Sequence, residues 1–379
     1  MKNIPIVIPC YNRIEPLKRL LDSLSEAYYK DETPIIFSID YSDSSQISDF
    51  IDNYEWGFGE KCIIKHSQNI GLKNNILFCG NLTEKYDAII LLEDDLVVAK
   101  DFYNYAIQAY NYYKEDSRIA GISLYGYERS EVGLYQFYPV ETNYDTYLME
   151  WPSSWGQMWT KEQWRGFISW LNDEAKELNC YNIPDSVKQW NEKSWKKWAV
   201  AYCVDKNKYY LYPYKSFTNE FGTVGVHYTD NHILRNINTT SLYCGKNVKY
   251  RFGEYEELSK YDCFFQPISL MLSIKGKTYH TTFNIYNCRK RKNITTEYVI
   301  TPLRIDDCNI VASYPGCNIP FELNLRKPGK TAPFFFLYKT DYFMDAKLSY
   351  PQKRHLKILY GAFEAFIFAV LQRIKIMFN

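Results

Sequence analysis

The 379-residue chain has almost no net charge: 45 basic and 44 acidic residues leave +1 at neutral pH. A nucleic-acid partner would call for a basic footprint, and the balance argues against one. No C-x-x-C spacing occurs among the ten cysteines, which excludes zinc ribbons and thioredoxin-like sites. No uninterrupted apolar stretch approaches the roughly 18–20 residues of a spanning helix. The opening run, Met1 to Pro9, is too short in apolar residues for a secretory signal and reads as a strand. Together these predict reduced thiols in a cytosolic protein, with the sequons at Asn81, Asn238 and Asn293 as chance matches. What is abundant is aromatic: 18%, with 36 Tyr, 22 Phe and 9 Trp. Aromatic faces suit sugar rings and bases as well as cores. With 46% hydrophobic and 23% charged residues the chain can bury a sizeable core, and its length predicts about two domains.

The first third alternates short apolar runs with helical periodicity, the pattern of an α/β parallel sheet. Ile4 to Ile8, Pro34 to Ile39, Cys62 to Lys65, Ala88 to Leu92 and Ile119 to Leu124 read as strands. Leu17, Leu20, Leu21 and Leu24 form one helical face after Pro16, and Asp101 is placed to cap a helix through Tyr113. Helices are expected over 161–178 and 193–205, and a strand over 209–214. Eight of the nine tryptophans fall from Trp151 to Trp198. Asn219 to His227 reads as a closing loop, and 250–342 as short strands with turns at Lys275-Gly276, Pro315-Gly316 and Pro328-Gly329. The predicted division is a sheet domain over 1–245, a smaller β-rich domain over 246–345, and an amphipathic C-terminal helix over 346–379.

The chemical signal is Glu93-Asp94-Asp95, directly after the strongest strand. Three acids at the carboxyl end of a buried parallel strand face the ligand crevice of an open α/β sheet. Their mutual repulsion is relieved by a hard divalent cation, Mn2+ or Mg2+, which completes its shell with substrate phosphates. The bland alternative is a solvated acidic turn. Three further strand ends are polar: Pro9-Cys10-Tyr11-Asn12-Arg13, Asp40, and Asn69-Ile70-Gly71-Leu72-Lys73.

In this order and spacing the string resembles glycosyltransferases of the GT-A fold, above all the inverting family 2 enzymes. Glu93-Asp94-Asp95-Leu96 is also similar to the E-D-D-L motif of the N-acetylglucosaminyltransferase that starts complex N-glycan branching. The resemblance covers roughly the first 230 residues. It implies that Pro9, Tyr11 and Arg13 line a nucleotide pocket and that Asp40 accepts a hydrogen bond from uracil, which favours a UDP-sugar donor. It further implies close backbone approach at Gly71, phosphate neutralisation by Lys73, donor contacts from Glu93 and Asp94, and metal ligation by Asp95. The Ser153–Trp159 stretch is similar to the family's sugar pocket, which implicates Trp155 and Gly156, with Trp195 beside them. His227 is the candidate second metal or pyrophosphate contact; an ordinary loop histidine is the alternative.

An inverting enzyme needs a base for the acceptor hydroxyl. The family's acid precedes a Trp, but Ser194 precedes Trp195 here, so Glu192 is the candidate, against a solvated helix-end charge. The tail carries Ile358, Leu359, Phe363, Phe366, Ile367, Val370, Leu371 and Ile374 between Lys353, Arg354 and Lys357 and the terminal Arg373 and Lys375. Its breadth and flanking charge predict a helix lying on an anionic membrane surface. Packing on the β-rich domain or a sister subunit is the alternative. The expectation is a UDP-sugar-dependent transferase acting on a saccharide acceptor, lipid-linked O-antigen or capsule, at the inner face of a bacterial membrane. Two rivals stand beside it. One is a non-catalytic carbohydrate-binding scaffold; the other, a nucleotidyltransferase, lacks its glycine-rich loop because Pro9–Asn12 occupies that place.

Overall fold

The computed structural model describes residues 4–132, 135–173, 176–220, 240–305, 308–326, 328–329 and 333–345. Residues 221–227 of the expected closing loop, His227 among them, and the expected helix over 346–379 lie outside the described residues. The described residues form two compact units. One holds those up to Arg129 and from Gln136 to Phe265; the other holds those between Ser130 and Tyr135 and from Gln266 onward.

The first unit alternates strand and helix as the hydrophobic pattern predicts. It begins β1 (Ile6–Cys10), α1 (Ile14–Ser25), β2 (Ile35–Ile39), α2 (Gln46–Asn53), β3 (Lys61–Lys65), α3 (Gly71–Asn81), α4 (Thr83–Tyr86) and β4 (Ala88–Leu91). It continues with β5 (Leu96–Val98), α5 (Phe102–Tyr113), β6 (Ile119–Ser123), β7 (Thr146–Met149), β8 (Gln157–Thr160) and α6 (Lys161–Asn172). Then come α7 (Asp185–Lys188), α8 (Lys196–Asp205), β9 (Tyr209–Pro213), β10 (Thr218–Glu220) and β11 (Lys260–Tyr261). Among the described residues nine strands form one sheet, in the order β11-β7-β9-β6-β8-β4-β1-β2-β3. β1 runs parallel to β2 and β4, and β2 to β3. β1, β2 and β4 are buried along their whole length, which is why they read as continuous apolar runs.

Part of this was not visible in the sequence. β8 wedges antiparallel between β4 and β6, and β7 pairs antiparallel with β9, so the sheet is mixed. A four-residue strand such as β8 offers too few positions for a period to show. It passes straight into α6, where Thr160 and Gln163 form a capping box. α6 stops at Asn172, short of the expected 178, because the chain turns extended at Asp173. Asp101 makes no side-chain cap on α5. It is fully buried and accepts hydrogen bonds from Asn247 and Val248 N–H and from the Tyr250 hydroxyl, tying the 247–250 segment down.

Most tryptophans are core rather than ligand platforms: Trp56, Trp151, Trp159, Trp164, Trp170 and Trp195 are all buried. The abundant tyrosines do the same work, with Tyr105, Tyr113, Tyr147, Tyr212 and Tyr261 among the largest fully buried side chains of this unit. All ten cysteines are free thiols, and no described helix is long and apolar enough to cross a membrane.

The second unit is β-rich, as its turn spacing predicts. β12 (Leu270–Ile274), β13 (Lys277–Phe283), β14 (Tyr298–Thr301), β15 (Ala312–Tyr314) and β16 (Phe335–Lys339) form a sheet in the order β12-β13-β14-β16-β15. The β12–β13 turn falls at Lys275-Gly276, both at positive φ. Ile294, Val299, Phe336, Tyr338 and Phe343 make its core.

Candidate functional site

The carboxyl ends of β2, β1 and β4 lie side by side, because β1 is hydrogen-bonded to both neighbours. Each end carries one of the motifs. β1 leads to Tyr11, which is exposed, and to Arg13. β2 leads to Asp40, and β4 to Glu93, Asp94 and Asp95. The crevice expected at such strand ends is where the structure gathers these side chains.

Asp40 is buried and held by backbone N–H groups. One oxygen accepts Tyr41 N–H at 2.9 Å and Ile70 N–H at 2.8 Å; the other accepts Gly71 N–H at 2.8 Å. It therefore fastens the N-terminus of α3 to the end of β2. A carboxylate has about four acceptor positions, so one remains on the oxygen bound to Gly71. Gly71 sits at φ +76°, with open space where a Cβ would be. That is the backbone freedom expected where a ligand comes close. Lys73 follows on the first turn of α3, half-buried.

The acidic turn is organised around a cation the protein supplies itself. The Arg13 guanidinium donates Nη1 to Asp95 Oδ2 at 2.9 Å and Nη2 to Asp94 Oδ1. Burial pushes the Asp94 carboxyl up to about 6, Arg13 pulls against that, and the Asp95 charge adds to it. Glu93 goes further, to about 8, through burial first and then the Asp95 and Asp94 charges. The shift favours the protonated form of Glu93, the form that can donate a hydrogen bond.

A short antiparallel clasp backs this turn. Leu96, Val97 and Val98 of β5 pair with Glu220, Asn219 and Thr218 of β10. The Thr218 hydroxyl donates to the Trp155 carbonyl at 2.5 Å. Gly156, at φ +89°, lies so close that a Cβ would sit 2.7 Å from Thr218 Cγ2 and 3.3 Å from Leu92 Cδ2. Gly156 is thus required by packing behind the turn. Trp155 is half-buried against Tyr125 and Tyr127. Trp195 is buried edge-on to Trp159 and makes core, not pocket wall.

Glu192 is apart from the acidic turn in character. Its side chain is 88% exposed and pairs at 2.8 Å with the buried Lys197. Lys197 holds it below the usual carboxylate range, with a smaller contribution from Lys73. It lines an open polar groove of about 360 Å3 with Lys176, Lys188 and Trp198.

Two features escaped sequence reading. Lys196 is buried with its ammonium 5.2 Å, 5.3 Å and 5.7 Å from the Trp151, Trp155 and Trp190 rings, and its charge reaches Glu93. Adjacent lysines inside a Trp-rich helix start were the available signal. Gln157, at the start of β8, is fully buried, and among the described residues neither its amide atoms nor the nearby Ser153 hydroxyl has a hydrogen-bond partner. Its place opposite Leu91 follows from the β4–β8 register, which the sequence does not display.

No curated protein matches the sequence. Solved structures are similar only distantly. S. aureus TarS 1-349 in complex with UDP-GlcNAc is 14% identical, with TM-score 0.37 over 61% of this chain and 62% of that one. Mannosyltransferase PcManGT from Pyrobaculum calidifontis, in complex with GDP-Man and Mn2+, is 10% identical, with TM-score 0.31 over 45% of this chain and 46% of that one. GalNAc-T7 with UDP, GalNAc and Mn2+ is 14% identical, with TM-score 0.38 over 56% of this chain and 42% of that one. This chain therefore spans less than two thirds of each. The residues gathered at the strand ends, from Pro9 through Arg13, Asp40 and Gly71 to Asp95, all fall within residues 6–158, the stretch that matches glycosyl transferase family 2.

Proposed function

We propose that the chain is a metal-dependent glycosyltransferase that moves a sugar from a UDP-sugar to a saccharide acceptor, with inversion. The observation that carries this is the convergence of Arg13, Asp40 and the Glu93–Asp95 turn at adjacent strand ends, inside the family 2 stretch. Asp40 keeps one acceptor position for a uracil N–H. Arg13 and Lys73 supply positive charge for a diphosphate. Glu93, whose neighbours favour its protonated form, is placed to contact a donor-sugar hydroxyl, and the half-buried face of Trp155 is suited to the sugar ring.

The residues fit a hard divalent cation. Asp94 and Asp95 already turn oxygens toward one cation, the Arg13 guanidinium. Among the described residues no cluster of three or more His, Cys, Asp or Glu side chains could hold a metal unaided. One or two carboxylates with the rest of the shell from phosphate and water is the usual bonding of Mg2+ or Mn2+ at nucleotides. Asp95 would be the ligand, Asp94 could share the ion through the oxygen it gives to Arg13, and His227 is the further candidate. When bound, the metal supplies Lewis-acid stabilisation of the leaving diphosphate. Glu192 is the proposed base: it is ionised at neutral pH and lines the polar groove with Lys176, Lys188 and Trp198, which would receive the acceptor. The acceptor is proposed to be lipid-linked O-antigen or capsule. The tail beyond Asp345 would then rest on the inner face of a bacterial membrane.

The test is a panel of UDP-sugars assayed for UDP release with Mn2+ and with EDTA. Metal-dependent release, lost in Asp95→Ala, is expected. UDP binding without turnover on any acceptor, unchanged by that substitution, would favour the non-catalytic scaffold.

A further inference from the structure

Arg13 occupies the oxygens that a metal would need. Its guanidinium spans Asp95 Oδ2 at 2.9 Å and Asp94 Oδ1, so two adjacent carboxylates are held around one protein-borne cation. A divalent ion approaching the same two oxygens meets a fixed positive charge a few ångströms away, which it can only repel or displace. The Arg13 side chain is 29% exposed, and its backbone is the residue that leads into α1 at the end of β1. The tip can therefore turn without disturbing the core. A guanidinium recognises phosphate oxygens in the same forked manner as carboxylates.

Resting on the donor-site reading above, the geometry points to Arg13 as a resident counter-cation that is exchanged for the divalent ion and then engages the donor diphosphate. The exchange links two ligands. A divalent ion arriving alone must break both Arg13 contacts and leave the guanidinium without an anion. The same ion arriving with a diphosphate offers Arg13 new partners in place of the old. Metal alone should bind weakly, and metal and nucleotide should strengthen each other by the same factor.

The test uses the full chain and calorimetric titration with Mn2+ alone, UDP alone and Mn2+ in saturating UDP. It compares wild type with Arg13→Gln and the charge-conserving Arg13→Lys. Any cation shared with a diphosphate couples to it, so the discriminating measurement is Mn2+ alone. Arg13→Gln is expected to bind Mn2+ alone at least tenfold more tightly than wild type, to bind UDP more weakly and to show reduced Mn2+–UDP coupling. Arg13→Lys should keep Mn2+ alone within about threefold of wild type. Urea unfolding of each variant checks that the fold is retained. Equal Mn2+ affinity in wild type and a folded Arg13→Gln protein would overturn the exchange while leaving the donor site standing. Wild type that binds neither Mn2+ nor UDP would overturn the donor-site reading and the exchange with it.

Discussion

Replacing Asp40 by asparagine changes one oxygen for an NH2 at a buried junction. The wild-type carboxylate accepts three backbone N–H groups, from Tyr41, Ile70 and Gly71, at 2.8–2.9 Å. In the Asp40→Asn variant the amide oxygen can still serve Tyr41 and Ile70, now as a neutral acceptor. The amide NH2 then faces Gly71 N–H, donor against donor. One charge-assisted bond, worth about 1.5–3 kcal/mol, is lost, and the two that remain weaken. The expected destabilisation is about 2–4 kcal/mol, read as a lower urea midpoint at unchanged slope. UDP affinity should fall as well, since the last acceptor position and the placement of Gly71 depend on the same oxygen. Stability within about 0.5 kcal/mol of wild type would refute the anchoring role, because a surface-like substitution has that size of effect.

Three further outcomes are expected. Gly80→Ala would set a Cβ 2.1 Å from Trp164 Cζ2, and Trp164 is buried with its Nε1 bonded to Asn81. A urea-measured loss near the upper end of the usual overpacking range of about 1–3 kcal/mol is predicted, and a neutral change would mean the α3–α6 contact is looser than described. Glu93 has a folded pKa raised from 4.5 to about 8, so its stabilising share is present below 4.5 and lost as pH climbs through 8. Wild type should accordingly lose stability across that window relative to Glu93→Gln, and parallel pH profiles for the two would contradict the assignment. Glu192→Gln should leave UDP binding intact while transfer drops by about 100-fold or more; retained transfer would move the base elsewhere.

The α/β character and the polar strand ends could be read from the sequence, since buried parallel strands are long apolar runs and the motifs stop them abruptly. Glu93–Asp95 after Ala88–Leu92 is the plainest instance. The mixed character of the sheet was not readable, because β8 is four residues long and its Gln157 interrupts the apolar pattern. The Trp-rich stretch misled for a related reason. Composition counts rings without saying which way they face, and Trp151, Trp159 and Trp195 turn inward. Likewise Asp101 looks like a helix cap by position, but its partners lie near residue 250, beyond the reach of local spacing. The Arg13 pairing with Asp94 and Asp95 spans some eighty residues and needed three dimensions to see.

The β5–β10 clasp sets an order of assembly on the ribosome. β5 is made early, but the strand that braces it arrives about 120 residues later. β6 likewise waits for β9, which flanks it in the sheet. A nascent chain that has emerged only to Met158 carries every motif residue from Pro9 to Asp95 and still lacks the support that shapes the acidic turn. Long-range pairings of this kind form late, after their loop-closure cost is met. Nested truncations should therefore acquire UDP binding abruptly, once Glu220 is included, and not gradually as motif residues accumulate.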